Sequence, residues 1–343
     1  MALVFNGRCL SRPIGGVERY ARQLLPLLAR IDPGMRVVVP PHEPAFGLGD
    51  GLVAEPFGHL GGHAWEQFDL PRAPGPHDAL ISPANTAPLR AGRQAVVVHD
   101  LAFLHHPEWF RPAFARWYRW LVPRLVQRAT TVITVSEAMR GELLQAYAPD
   151  PAKVFVVPPH AQAPPEGDGK PCHVPRPFVL LVGHDDPRKA VVPALDLLHA
   201  AAPGLHAVVV GRERRPFRRA ARPPDPRVTW LGPVDDLQLH WLYRHARALL
   251  HPSLYEGFGL TVLEALQRGC PVVARPLPVI REAFGDEVHA CTFTGSDDLS
   301  AVLARLPARG TEALADRSPA AGTFTGQRTT DALRSAIDHL LRS

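Results

Sequence analysis

Two glutamates, Glu256 and Glu264, flank a glycine-containing turn in the segment His251-Pro-Ser-Leu-Tyr-Glu256-Gly-Phe-Gly-Leu-Thr-Val-Leu-Glu264-Ala. A strand-like run precedes it and a helical pattern begins near Leu260. Gly257 and Gly259 let the backbone approach a ligand closely. The first amides of the helix, from Phe258 through Gly259 and Leu260 to Thr261, lack partners within the helix and suit a diphosphate. Glu256 can reach a polar group beyond the phosphates, and Glu264, about one turn into the helix, can accept hydrogen bonds from hydroxyls. A second reading stays open, because Thr261-x-x-Glu264 also matches a capping box and an acid near a helix start is stabilised by the dipole.

Three other places carry residues of chemical interest. Phe178–Val182 is strand-like and runs through Gly183 and His184 to Arg188-Lys189. Fixed cations there would stabilise a departing anion. Lys189 is one of only three lysines in an arginine-dominated chain. A solvated charge pair at a helix start is the alternative. Gly15-Gly16 opens a helical pattern after the first strand, allowing close backbone approach or simply a turn. His99-Asp100 ends a buried strand, the edge at which open α/β folds place their chemistry. A histidine that only caps the strand is the competing reading.

The elements that must position these residues alternate along the chain. Strand-like runs are Ala2–Phe5, Arg36–Val39, Ala79–Ser82, Ala95–His99, Thr131–Val135 and Val154–Val157, then Phe178–Val182, His206–Gly211, Arg227–Trp230, Ala248–His251 and Pro271–Ala274. Helical periods fall between many of them, including Val17–Ala29, Lys189–Ala201 and Asp235–Ala246. Continuous Val/Ile/Leu runs mark strands buried on both faces of a parallel sheet, and the alternation predicts doubly wound α/β domains. Pro158 to Pro177 is rich in proline and poor in large apolar residues, as a linker would be. The expected organisation is a first Rossmann-like domain over 1–160, a linker over 161–177, a second Rossmann-like domain over 178–327 and a terminal helix over 328–343 crossing back to the first domain. Two such domains would face a central cleft.

The string from Pro252-Ser253 through Glu256 and Glu264 to Gly269-Cys-Pro-Val-Val-Ala274 resembles the E-x7-E signature of glycosyltransferase family 4. The resemblance extends to Gly183…Arg188-Lys189, Gly15-Gly16 and His99-Asp100, and implies a GT-B fold. It implies a retaining hexosyltransferase that uses a nucleotide-diphosphate sugar. Glu256 would then lie against the donor sugar, Glu264 on the ribose hydroxyls and the Phe258–Thr261 amides on the phosphates. Arg188 and Lys189 would neutralise the leaving diphosphate. Gly15 and Gly16 would sit near the donor phosphate and His99 near the donor sugar, with Gly183 in the donor segment. His99 to Phe110 is similar to bacterial mannosyl- and rhamnosyltransferases of surface polysaccharide assembly, which favours GDP-mannose and a glycan or lipid-linked acceptor. A non-catalytic sugar-nucleotide-binding or assembly protein on the same fold is the alternative.

Composition narrows the field. Hydrophobic residues at 46% and charged ones at 21% are ordinary for a globular protein. The net charge of +5 could serve a phosphate-bearing ligand, but no nucleic-acid-binding signature accompanies it. The four cysteines have no C-x-x-C spacing, so neither a zinc site nor a disulfide framework is expected, and a reducing cytoplasm fits. No Asp-x-Asp occurs, so no metal is expected, and no cofactor beyond the sugar nucleotide as substrate. G-x-G-x-x-G and G-x-S-x-G are absent too. No apolar run is long enough to span a membrane. Phe110, Phe114, Trp117, Leu121 and Leu125 fall near one helical face among arginines, a pattern of core packing or of peripheral membrane contact.

Overall fold

The computed structural model describes residues 2–42, 46–49, 52–183, 186–211, 225–306 and 322–342. His184 and part of the second predicted domain therefore lie outside the described residues. The chain divides into two compact units. The first comprises 1–104, 115–160 and 326–343, and the second 105–114 and 161–325.

In the first unit the strands are β1 (Leu3–Asn6), β2 (Arg36–Val39), β3 (Phe46–Gly49), β4 (Leu52–Pro56), β5 (Ala79–Ser82), β6 (Gln94–Val98), β7 (Thr131–Thr134) and β8 (Val154–Val156). They form one sheet in the order β3-β4-β2-β1-β5-β6-β7-β8. Every pairing is parallel except the β3–β4 edge. The strand interiors are apolar because helices cover both faces. β1, β5, β6 and β7 are buried along their whole length. Helix α1 (Gly16–Ile31) inserts Tyr20, Leu24, Leu25 and Leu28 into that core. Then follow α2 (Gly62–Phe68), α3 (Ala102–His105), α4 (Pro112–Arg128) and α5 (Glu137–Tyr147), the last capped by Ser136, which accepts from the Met139 amide.

The second unit holds β9 (Phe178–Val182), β10 (His206–Val210), β11 (Val228–Gly232), β12 (Leu249–His251), β13 (Val272–Ala274) and β14 (Val288–Ala290). The order is β11-β10-β9-β12-β13-β14 with all pairings parallel. In chain order this reads 3-2-1-4-5-6, the doubly wound arrangement. Strand order reverses between β9 and β12, and the carboxyl ends of strands at such a switch point are where open α/β sheets bind their ligands. Helices α6 (Val191–Ala201), α7 (Asp236–His245), α8 (Leu260–Gln267), α9 (Pro278–Phe284) and α10 (Ser296–Arg305) complete the layers. Asp235 and Gln238 close a capping box at the start of α7.

The last helix, α11 (Gly326–Arg342), belongs to the first unit and packs on β7 and β8. It buries Thr329, Leu333, Ala336, Ile337 and Leu340, which recur at helical spacing along one face. Each of its large apolar side chains contributes about 1.5–3 kcal/mol by leaving water. Among the described residues no helix is long and apolar enough to cross a membrane.

Candidate active site

The turn after β12 is built around Gly259. Its φ of 103° lies in the left-handed region, and a Cβ there would fall 2.8 Å from Ile280 Cδ1. Glycine is therefore required to start α8. Gly259 caps the helix with no side-chain hydrogen bond, so Thr261 lies inside the first turn and does not form a capping box with Glu264. Phe258 is buried against Phe284 and Phe324, which fixes the turn from below. The first turn of α8 leaves amides without partners inside the helix, the arrangement by which helix starts hold anions.

Lys189 and Glu256 meet at the same edge. Lys189 Nζ is 2.5 Å from Glu256 Oε1, with both side chains largely buried. A 3-10 turn, Pro187–Lys189, carries the lysine, and the Leu254 amide donates to the Arg188 carbonyl at 2.7 Å. The loops after β9 and β12 are thus clasped together. Gly183 makes room for the lysine stem, since a Cβ there would fall 2.6 Å from Lys189 Cγ. Burial acts to raise the Glu256 carboxyl, but Lys189 and His251 outweigh it and hold the group well below the usual carboxylate range. Arg188 is placed differently: its guanidinium is paired with Asp186, with Nη2 2.7 Å from Oδ2. Its charge, like that of Lys189, is therefore shared with a carboxylate, but with one on its own loop.

His251 and Tyr243 join this site without having been singled out from sequence. His251 ends β12 with 2% exposure, and its Nε2 lies 3.1 Å from Glu256 Oε1 without an aligned hydrogen-bond partner. Tyr243 is fully buried and its hydroxyl donates to Glu264 Oε2 at 3.3 Å. A histidine at the end of an apolar strand run was the available signal for the first. The second is concealed in the apolar period of α7.

The remaining predicted residues belong to the first unit. Gly15 caps α1 in extended geometry and Gly16 is its first residue, with the Gly15 carbonyl accepting from the Arg19 amide. His99 follows β6. Its Nε2–H donates to the Pro83 carbonyl at 2.6 Å, and its ring meets Tyr20 of α1 edge-on with centroids 5.1 Å apart. Asn85 Oδ1 accepts from the His99 amide at 2.6 Å. Because a carbonyl only accepts, Nε2 must carry the proton, so a neutral His99 presents Nδ1 as an acceptor.

Two predictions follow from this geometry. Gly183→Ala forces a side chain onto φ 125° and against Lys189. Such backbone strain costs on the order of 1–3 kcal/mol. Melting temperature and turnover should both fall, whereas Gly204→Ala, with open space around it, leaves both unchanged. The second concerns pH. Burial pushes the His99 and His251 imidazoles below their ordinary value, with the Pro83 carbonyl and Glu256, respectively, opposing it. The unfolded chain then binds protons near pH ~6.5 that the folded chain does not, so stability rises with pH there. Denaturant titrations should show lower stability at about pH 5.5 than at about pH 7.5, and His99→Phe should flatten that slope.

Comparison with known proteins fits the geometry. Residues 170–312 match the family described as Glycosyl transferases group 1, and residues 14–160 match Glycosyltransferase Family 4. The O-antigen chain mannosyltransferase RfbU of Salmonella typhimurium is 27% identical over 60% of this chain and 57% of its own length. The D-inositol 3-phosphate glycosyltransferase of Mycolicibacterium paratuberculosis is 30% identical over 64% of this chain and 55% of its own. The chain thus spans less than two thirds of the length of these curated relatives. Sucrose-phosphate synthase from Thermosynechococcus elongatus superposes with a TM-score of 0.65 at 18% identity, covering 99% of this chain and 96% of that one. The class is therefore a GT-B fold of two Rossmann-like domains. The chain's first half matches the Glycosyltransferase Family 4 model and its second half the Glycosyl transferases group 1 model.

Proposed function

We propose that this protein is a retaining glycosyltransferase that moves a hexose from a nucleotide-diphosphate sugar, GDP-mannose foremost, to a glycan or lipid-linked acceptor of surface polysaccharide or glycoconjugate biosynthesis. The observation that carries this reading is the Lys189–Glu256 pair at the β9/β12 crevice, beside the first amides of α8. The glycosyltransferase domain matches and the mannosyltransferase name of RfbU support it.

In this reading the bond between the anomeric carbon and the diphosphate oxygen breaks, and its electron pair stays on the phosphate. Lys189 and the α8 amides stabilise that developing charge. Glu256, kept ionised beside His251, holds the sugar. The acceptor oxygen bonds to the same face of the anomeric carbon, and its proton passes to the departing phosphate. No cofactor or metal enters these steps, and Arg188 contributes once the diphosphate competes with Asp186 for its guanidinium.

Among the described residues Cys9, Cys172, Cys270 and Cys291 form no disulfide, which supports a cytoplasmic setting. Helix α4 supports contact with the inner face of the membrane. It buries Leu121 and Leu125 but exposes Trp120, with Arg124 4.6 Å over its ring and Arg116 and Arg119 also in solvent. Sedimentation with anionic vesicles, lost for Trp120→Ser, tests that contact.

Transfer itself is tested by incubating the protein with GDP-mannose, UDP-glucose, dTDP-rhamnose or ADP-glucose and a lipid extract. Nucleoside diphosphate release is followed together with the anomeric configuration of the product by NMR. Release with retained configuration is expected. Inverted product overturns retention, and no release from any donor overturns the transferase reading.

A further inference from the structure

We propose that Tyr243 is the positioning residue of the nucleotide site, holding the Glu264 carboxylate in the orientation that receives the ribose hydroxyls. This rests on the reading above, in which Glu264 binds ribose. Tyr243 sits on α7 and is 0% exposed. Its hydroxyl is 3.3 Å from Glu264 Oε2 and 3.5 Å from the Thr261 carbonyl. A phenol has one proton to donate, and a carboxylate oxygen is a stronger acceptor than a peptide carbonyl. Oε2 is thereby tied to a rigid, buried ring, which sets the plane of a half-buried side chain on a different helix. A carboxylate has about four lone-pair sites, so one such bond leaves ample capacity for a diol.

The ring is itself held in place. Arg268 lies one turn beyond Glu264 on the α8 side, with its guanidinium 5.6 Å over the Tyr243 ring. It donates to the Glu264 carbonyl at 2.9 Å and to His240 Nδ1 at 3.2 Å. His240, fully committed, donates through Nε2 to the Gly167 carbonyl at 3.1 Å. Tyr243 and Glu264 are therefore two parts of one polar lattice joining α7 to α8. If the tyrosine hydroxyl served packing alone, the Thr261 carbonyl would satisfy it and ligand affinity would not depend on it. A role through Glu264 predicts dependence only for ligands that carry ribose hydroxyls.

The test is a calorimetric titration of GDP and UDP, and of their 2′,3′-dideoxy counterparts, into the full chain. Wild type, Tyr243→Phe, Glu264→Gln and the double variant are compared. Phenylalanine keeps the ring and the Arg268 contact, and melting temperature checks that it folds. Tyr243→Phe should weaken the ribonucleotide that binds by roughly ten-fold and leave the dideoxy form unchanged. The double variant should bind no more weakly than Glu264→Gln alone, and turnover should show a raised donor KM with kcat nearly unchanged. Equal affinity of wild type and Tyr243→Phe overturns the proposal, as does an equal loss for ribo and dideoxy forms. A wild type that binds neither nucleotide overturns the donor-site reading beneath it, a distinct result from the other two.

Discussion

Lys189→Ala lowers kcat by about two to three orders of magnitude, the loss typical of removing one group that stabilises transition-state charge. The expectation comes from position and from what the lysine leaves behind. Lys189 Nζ is the cation in contact with Glu256, 2.5 Å away in a largely buried setting. Without it, Glu256 keeps the burial that acts to raise its carboxyl and loses the strongest influence that lowers it. In the proposed reaction the variant therefore removes the charge that would face the leaving diphosphate and weakens the ionisation of the group that would face the sugar. Lys189→Arg recovers little, because a planar guanidinium does not reproduce the compact ammonium charge that Lys189 Nζ places against Glu256 Oε1. Stopped-time assays of nucleoside diphosphate release against donor concentration separate the terms: kcat falls strongly, and the change in KM is smaller.

Glu66→Ala carries the largest expected cost in stability, about 3–5 kcal/mol. Glu66 is 1% exposed and faces Arg8, which is 6% exposed, at 3.1 Å. Around them Asn6 and Thr86 donate to Glu66 Oε1 at 3.1 and 2.9 Å, and Asn6 also donates to Ser82. Asn6 and Ser82 end β1 and β5, so this lattice sits where strand order reverses in the first sheet. Removing one partner strands a buried guanidinium. A fall in melting temperature of roughly 10 °C is expected, in differential scanning calorimetry, for the transition of the first unit. Replacing both partners with apolar residues of similar volume, as in Arg8→Met with Glu66→Leu, should restore most of the loss. A double variant as unstable as Glu66→Ala would show that the cost is not an orphaned charge but the loss of the Asn6 and Thr86 hydrogen bonds to Glu66.

Most strands of both sheets were readable because parallel strands buried on both faces are continuous apolar runs such as Val96–Val98 and Phe178–Val182. The β3–β4 hairpin was not, since Phe46–Gly49 alternates with glycine and pairs only at an edge. β14 is a three-residue strand that owes its pairing to β13 more than to its own pattern. The grouping of His105–Phe114 with the second unit is a tertiary fact, and in sequence that stretch reads as continuous with its neighbours. In the site, the glycine turn and the scarcity of lysine pointed to Gly259 and Lys189, which lie on the loops after β12 and β9. The capping-box alternative for Glu264 fell away only when the helix start was seen at Leu260 with Gly259 before it. The Asp186 pairing of Arg188 and the buried approach of His251 to Glu256 depend on side-chain geometry that spacing does not encode.

The central claim is that the crevice at β9 and β12 binds a nucleotide-diphosphate sugar through Lys189 and the α8 turn. Its most direct measurement is a thermal-shift panel of GDP, UDP, dTDP and ADP sugars on the wild type and on Lys189→Ala. A ligand that binds the folded chain raises the melting temperature by mass action. At least one sugar nucleotide should stabilise the wild type, and the same compound should stabilise Lys189→Ala much less. A wild type stabilised by none of them, or a shift of equal size after loss of Lys189, would contradict the account.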